Sequence, residues 1–341
     1  FEFLYPDNNP ISSQTKSFIE GIDSNDTSNQ VNDLFDHEVG PLHYRVRKDD
    51  LGLADQNFYE PIMVPQNPIE KEIFEAINNH VMNLAKDDYL KEVDLVNKLR
   101  RGRIIRLRQA VSYPKLLSSA LKVVPDPFSN SNSFNDSKIA KNIQNYDSLE
   151  VPNKINALMT LVSDLNERGE KLIIWSSFVN TIKYISNWLS QYDIKNEKIY
   201  GEIPFLDHPF KEIKSRTKIK NIFLDPNSGL DVIIANPAAF AESVSLHTTC
   251  SNAIYYDLSY NCAQFLQSLD RIHRVGGSEE KEANYYFLQY ENTIDQDIFQ
   301  LIMSRRDRMN NLIDQDYEIF SLDMFEDDDE DLKAYERMIQ K

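Results

Sequence analysis

Apolar residues recur first at helical spacing. Ile69, Ile73, Ile77, Val81 and Leu84 lie three or four positions apart, which places them on one face of a helix. A second helical stretch is expected from about Tyr89 to Leu107, so residues 61–124 read as a helical region. After Val151 the texture changes to short apolar runs alternating with helical segments. Leu172–Trp175, Asp231–Asn236, Ala253–Asp257 and Tyr285–Leu288 read as buried strands. Helices are expected over 179–192, 262–274 and 294–314. Such alternation predicts an α/β fold, a parallel sheet covered on both faces. Ligands of these sheets bind beyond the carboxyl ends of the strands. Attention therefore falls on the segments after Trp175, Asn236 and Asp257.

Turn-forming composition divides the chain. Residues 22–32 are rich in Asp, Asn and Ser and read as a loop. Pro125, Pro127 and the run SNSNSFNDS (129–137) predict a flexible linker or insertion over 125–150. The run DMFEDDDED (323–331) predicts a solvated acidic tail over 316–341.

Charge changes the picture in one respect. The 341 residues carry a formal net charge of −17, which argues at first sight against nucleic acid, since phosphate binding needs Lys and Arg. Yet KLRRGRIIRLR (98–108) has six basic residues and no acid, so any binding would follow a narrow, salt-sensitive basic track. A solvated helix face is the alternative for this run. Arg305, Arg306 and Arg308 form a second cluster, suited to DNA or to pairing with Asp307 and Asp314. Cys250 and Cys262 form no C-x-x-C pair, and no run is long and apolar enough to cross a bilayer. The chain starts at Phe1 without a methionine, which suggests a fragment or processed chain.

The chemistry concentrates in Asp257–Gly276, DLSYNCAQFLQSLDRIHRVG. Gln267, Arg271 and Arg274 stand at i, i+4 and i+7, on one face of the expected helix. Two arginines and a glutamine on one stripe are hard to explain as packing, and guanidinium groups suit phosphoryl transfer. A structural network with Asp257 or Asp270 is the competing explanation. His273, between the arginines, reads as structural. No histidine or acid cluster has metal-ligand spacing.

QSLDRIHRVG resembles the sixth motif of superfamily 2 helicases in its Swi/Snf-type form, Q-x-x-x-R-x-x-R-x-G, where Gly277 stands in place of the usual glutamine. DLSYN (257–261) resembles the family's Asp-x-x-Trp-Asn. NPAAFAESVSLH (236–247) resembles the fifth motif, with Ala239 and Phe240 where the family has a Gly-Gly pair. KLIIWSSF (171–178) resembles the fourth motif and IYGEI (199–203) the short motif after it. RLRQAVSYPKLL (106–117), VRKDDLGL (46–53) and FEFLYP (1–6) resemble segments further upstream. The motifs occur in the family's order over most of residues 1–315. No G-x-x-x-x-G-K-[ST] is present, nor an Asp-Glu-x-His after an apolar strand.

The resemblance implies a second RecA-like lobe over 151–315, preceded by a remnant of the first lobe and an interlobe brace over 1–60. It implies ATP and Mg²⁺ held mainly by an upstream P-loop lobe, with Arg271 and Arg274 acting in the manner of an arginine finger and Gln267 sensing the γ-phosphate. Glu242 and Asp270 would lie on the nucleotide side. Ser176, Ser177, Asn236, Ser243 and Ser245, with Arg100, Arg101 and Arg103, would face a nucleic-acid backbone, most simply double-stranded DNA; helix capping is the alternative for each serine. The chain alone would then lack ATPase activity. The alternatives are a non-catalytic interaction module derived from such a lobe, or a helicase that unwinds RNA or DNA. An Asn-, Lys- and Ile-rich composition points to an AT-rich genome and to a bacterial cytoplasmic, nucleoid-associated protein rather than a nuclear one.

Overall fold

A computed structural model describes residues 51–87, 93–118, 138–207, 214–240 and 245–314. The expected first-lobe remnant up to residue 50, most of the expected linker and the acidic tail lie outside them. The larger of two compact units runs from Leu53 to Met303, and the described residues from Ser304 onward belong with Leu51 and Gly52 to the smaller one.

Seven strands build one sheet: β1 (Gln56–Phe58), β2 (Ile62–Val64), β3 (Lys171–Trp175), β4 (Asn196–Ile199), β5 (Val232–Ala235), β6 (Cys250–Tyr255) and β7 (Ala283–Tyr290). Their order is β1-β7-β6-β3-β5-β4, with β2 also on β7, and every pairing is parallel. Strand β1 takes the first half of β7 and β2 the second, with Gln56 opposite Ala283 and Ile62 opposite Leu288.

The apolar strands are continuous because both faces are covered. Ile173, Trp175, Ile233, Ala253 and Tyr255 enter one core cluster, while Leu172, Ile174, Val232, Ile234 and Ile254 enter the other. This is the two-residue alternation of a strand, with both sides apolar. On the second face lie α5 (Asn153–Glu167) and α6 (Val179–Gln191), through Ile155, Leu158, Val162, Ile182, Ile185 and Leu189. The first face receives α7 (Arg216–Leu224) and α9 (Cys262–Leu269), between which α8 (Pro237–Phe240) follows β5. The architecture is a RecA-like parallel sheet preceded by a helical region.

That region contains α1 (Pro68–Asp87) and α2 (Val93–Ser112). Pro68 begins α1, a position where its missing N–H costs nothing. Glu70 accepts the backbone N–H of Asn67 at 2.9 Å, and Glu150 accepts those of Ile69 and Glu70 at 3.0 and 3.2 Å. The start of α1 is thereby tied to Glu150, in the short segment between α4 and α5.

Three expectations need correction. The linker is shorter than 125–150, because α3 (Lys138–Gln144) and α4 (Tyr146–Leu149) are helical and bury Ile143 and Tyr146. Turn composition ends at Ser137, and the apolar residues after it have a core to join. Strands β1, β2 and β4 are absent from the sequence reading. Strands β1 and β2 join the sheet through β7 where a brace and the start of a helical region were expected. Strand β4 escapes notice because NEKI is polar and half-buried, as suits an edge strand. The helix expected over 262–274 stops at Leu269. Arg271 explains the stop: its Nε donates to the Gln267 carbonyl at 2.9 Å, the acceptor its own N–H would take in a continuing helix. That N–H turns to Ser268 at 3.3 Å, and Ile272 bonds Leu269 at 3.4 Å, which tightens the last turn. The remaining helix, α10 (Ile294–Asp314), keeps the expected bounds.

Candidate functional site

The residues singled out in the sequence divide between the two ends of the sheet. Helix α9 runs back against the strands, so the chain after it returns to their amino ends. There the Leu246 N–H bonds the Arg271 carbonyl at 2.7 Å, and the Cys250 N–H, the first of β6, bonds Leu246 at 2.9 Å. Arg271, Arg274 and Ser245 therefore share the amino edge, not the carboxyl edge to which general α/β topology directs attention.

Gln267 is exposed on the last turn of α9, while Arg271 is buried and Arg274 exposed. They do not form one helical stripe, but the turn after Leu269 still carries them to one edge. Burial pushes the Arg271 guanidinium below its usual range. One terminal nitrogen of Arg274 donates to Ser245 Oγ at 2.8 Å, and its backbone N–H donates to Ser278 Oγ at 3.0 Å. His247 lies beside them; burial first, then the Arg274 charge, lowers its pKa from 6.5. Glu279 closes the loop by accepting the N–H groups of Gly276 and Gly277 at 2.6 and 2.7 Å, which hold its carboxyl below the usual range.

The glycine at 277 has a steric cause. A Cβ there would stand 2.8 Å from His247 Cδ2 and 3.2 Å from the Thr248 Cα. A glutamine, as in the resembled motif, does not fit without moving the 247–248 backbone.

The carboxyl edge carries a second cluster, centred on Asp257. Its Oδ2 accepts the hydroxyls of Ser112 and Ser176, each at 2.7 Å, and its Oδ1 accepts the Ser177 N–H at 2.7 Å. Ser112 Oγ also lies 2.9 Å from Thr181 Oγ1; with its own proton on Asp257, Ser112 must be the acceptor there. Asn236 donates its amide to the Ser177 carbonyl at 2.8 Å, joining the loops after β3 and β5. Arg108 reaches the Leu258 carbonyl at 3.2 Å and lies over the Phe178 ring at 5.3 Å. The basic run of α2 thus ends at this edge.

These placements settle which residues meet. Ser177 and Asn236 come together and stay partly accessible. Ser176 is fully buried with its hydroxyl on Asp257, so it braces the loop and presents nothing to a phosphate. Ser245 sits with Arg274, separated from Ser177 by the length of the strands, roughly 15–20 Å at about 3.3 Å per residue. Asp257 binds serines rather than the arginines suggested as its partners. Asp270 caps α9. Glu242 and Ser243 lie outside the described residues, as do the side chains of Arg100, Arg101 and Arg103, whose backbone belongs to α2. Sequence reasoning missed Ser112 and Thr181, whose only signal was their closeness to the basic run and the fourth motif, and it held Arg108 only as the end of that run.

Among the described residues, no three His, Cys, Asp or Glu side chains gather as a metal-binding group. An exposed guanidinium backed by a hydroxyl suits an anionic phosphate, so the amino edge fits a nucleotide's phosphate end.

Residues 153–276 match the helicase conserved C-terminal domain. This stretch is similar to the C-terminal lobe of superfamily 2 helicases of the Swi/Snf type. An uncharacterized ATP-dependent helicase of Bacillus subtilis, YqhH, is 25% identical over 271 residues, covering 78% of this chain and 43% of its own length. The mouse SWI/SNF-related matrix-associated actin-dependent regulator of chromatin subfamily A member 1 is 22% identical over 216 residues, 61% of this chain and 18% of that protein. The chain thus spans less than half the length of these relatives. The crystal structure of the C-terminal part of the Fun30 ATPase domain superposes with a TM-score of 0.54 at 20% identity, covering 84% of this chain and 99% of that one. The Sulfolobus solfataricus SWI2/SNF2 ATPase core in complex with double-stranded DNA gives 0.51 at 17% identity, covering 88% of this chain and 54% of that one. At these identities the superpositions speak to the fold of the lobe.

Proposed function

We propose that the chain is the second lobe of an ATP-dependent nucleic-acid translocase, with double-stranded DNA as the track. The observation that carries this reading is the meeting of Arg271, Arg274 and Ser245 at one edge, with the Arg274 guanidinium exposed. Arg274 would reach the phosphates of an ATP held by an upstream P-loop lobe, stabilising charge as the γ-phosphoryl group leaves, and Arg271 would support it from its buried position. Gln267, exposed at the same edge, would report whether the γ-phosphate is present. The carboxyl edge would hold the nucleic-acid backbone through Ser177, Asn236 and the α2 arginines. Contacts of this kind position a duplex without reading its sequence. Separate edges for nucleotide and nucleic acid let cleft closure act on the track.

The proposal is tested by ATP turnover with double-stranded DNA, single-stranded DNA and RNA, in the longer protein that carries the P-loop lobe. Stimulation by duplex DNA supports it. Preference for RNA or strand separation would favour a true helicase. Absence of a P-loop lobe from the gene would favour an interaction module. The chain by itself is expected to hydrolyse no ATP.

A further inference from the structure

His273 is used by neither edge cluster, yet it is buried and its Nε2 lies 2.7 Å from the Ala54 carbonyl oxygen. A carbonyl only accepts, so the ring proton sits on Nε2. The opposite nitrogen, Nδ1, is buried without a partner. The ring is thus held by one directional bond on one side and packing on the other.

Ala54 is engaged from both of its backbone groups. Its N–H donates to the Ser278 carbonyl at 2.8 Å, while its carbonyl receives His273. The next residue, Asp55, accepts the Ala283 N–H at 3.0 Å. Gln56, the first of β1, donates to the Tyr285 hydroxyl at 3.0 Å, which donates to the Leu269 carbonyl at 2.9 Å. Ser278 also accepts the Arg274 N–H through its hydroxyl. Three consecutive residues leading into the sheet are therefore bonded to the turn that carries the arginines and to the start of β7.

We propose that His273 is a positioning residue, which acts through the Ala54 carbonyl to fix the arginine turn to the chain segment entering the lobe. Residue 54 falls in the segment expected to connect the lobes, so this tie would carry a displacement of that connection to Arg274. The inference rests on the reading of Arg271 and Arg274 as phosphate-facing groups. Their positions on the chain explain why a histidine stands between them: its ring turns inward while Arg274 points out.

Two substitutions separate the tie from packing. His273→Leu fills the space without an N–H donor, and loses nothing at the unpartnered Nδ1. His273→Gln keeps a donor at the place of Nε2. In this chain, amide hydrogen exchange at Ala54, Leu246 and Arg274 should speed up about tenfold in His273→Leu and return towards wild type in His273→Gln. Faster exchange confined to Ala54, or equal behaviour of the two variants, would overturn the proposal. In the longer protein, His273→Leu should lower kcat for ATP with KM unchanged, and His273→Gln should restore it. A wild-type kcat in His273→Leu would refute the functional link. A wild-type protein without turnover would instead refute the proposed function, while the exchange data would still decide whether the tie exists.

Discussion

Asp257 gathers three donors from two places in the chain, Ser112 of α2 and the consecutive Ser176 and Ser177 in the loop after β3. Its replacement by alanine would leave the Ser112 and Ser176 hydroxyls and the Ser177 N–H without their acceptor in the interior. Each stranded group costs about 1–3 kcal/mol, so Asp257→Ala should lose roughly 3 kcal/mol or more in chemical denaturation. Ser112→Ala, which removes one donor and leaves the carboxylate two, should lose about 1 kcal/mol. A loss below about 0.5 kcal/mol in Asp257→Ala would contradict the hub. The arginines were legible in the sequence because their spacing is local. Asp257 was not, because its partners lie 145 and 81 residues away, and a serine carries no pattern that announces an acceptor.

His247 supplies the pH test at the same scale. Burial and Arg274 lower its pKa from 6.5. A base with a lowered folded value is held neutral by the fold. Its contribution is therefore full above about pH 6.5 and is lost as pH falls through the folded value. An NMR titration of the imidazole should give a midpoint below 6.5, and Arg274→Ala should raise it. An unmoved midpoint would separate the two residues.

Elements are held together here by buried charge as well as apolar packing. Lys154, near the start of α5, places its Nζ 2.6 Å from Asp295 at the start of α10, and both are buried. The same nitrogen reaches the Tyr256 carbonyl at 3.3 Å and lies over the Tyr290 ring at 4.9 Å. Lys154→Met would leave Asp295 buried and unpaired, a cost of about 3–5 kcal/mol. A double variant with Asp295→Leu should recover much of that loss, read as non-additivity in a double-mutant cycle. Additive losses would show that the pair does not act as a unit. At this scale the sequence was most informative where strands are apolar on both faces, as in β3 and β5. It failed at β4, where an edge position permits polar residues, and at the end of α9, where a side chain rather than a breaker residue stops the helix. The helices after Ser137 were hidden by the turn-rich run beside them.

Across the whole lobe the proposed function assigns work to two opposite edges. The acidic total of −17 conceals a basic helix, whose last arginine, Arg108, ends at the carboxyl edge beside Leu258. Arg271 and Arg274, proposed to face the phosphates, occupy the opposite edge. Sequence order alone could not show this, since motifs adjacent along the chain return to different ends of the same parallel sheet. The division of labour predicts that the edges can be impaired separately. Nucleic-acid affinity would follow the carboxyl edge and α2, while turnover would follow the amino edge. The most direct test is nucleic-acid-stimulated ATP hydrolysis by the longer protein bearing Arg274→Ala. The account predicts a loss of turnover of about 10³-fold or more, with ATP and duplex DNA still bound. Turnover at the wild-type rate would remove Arg274 from the chemistry and contradict the account.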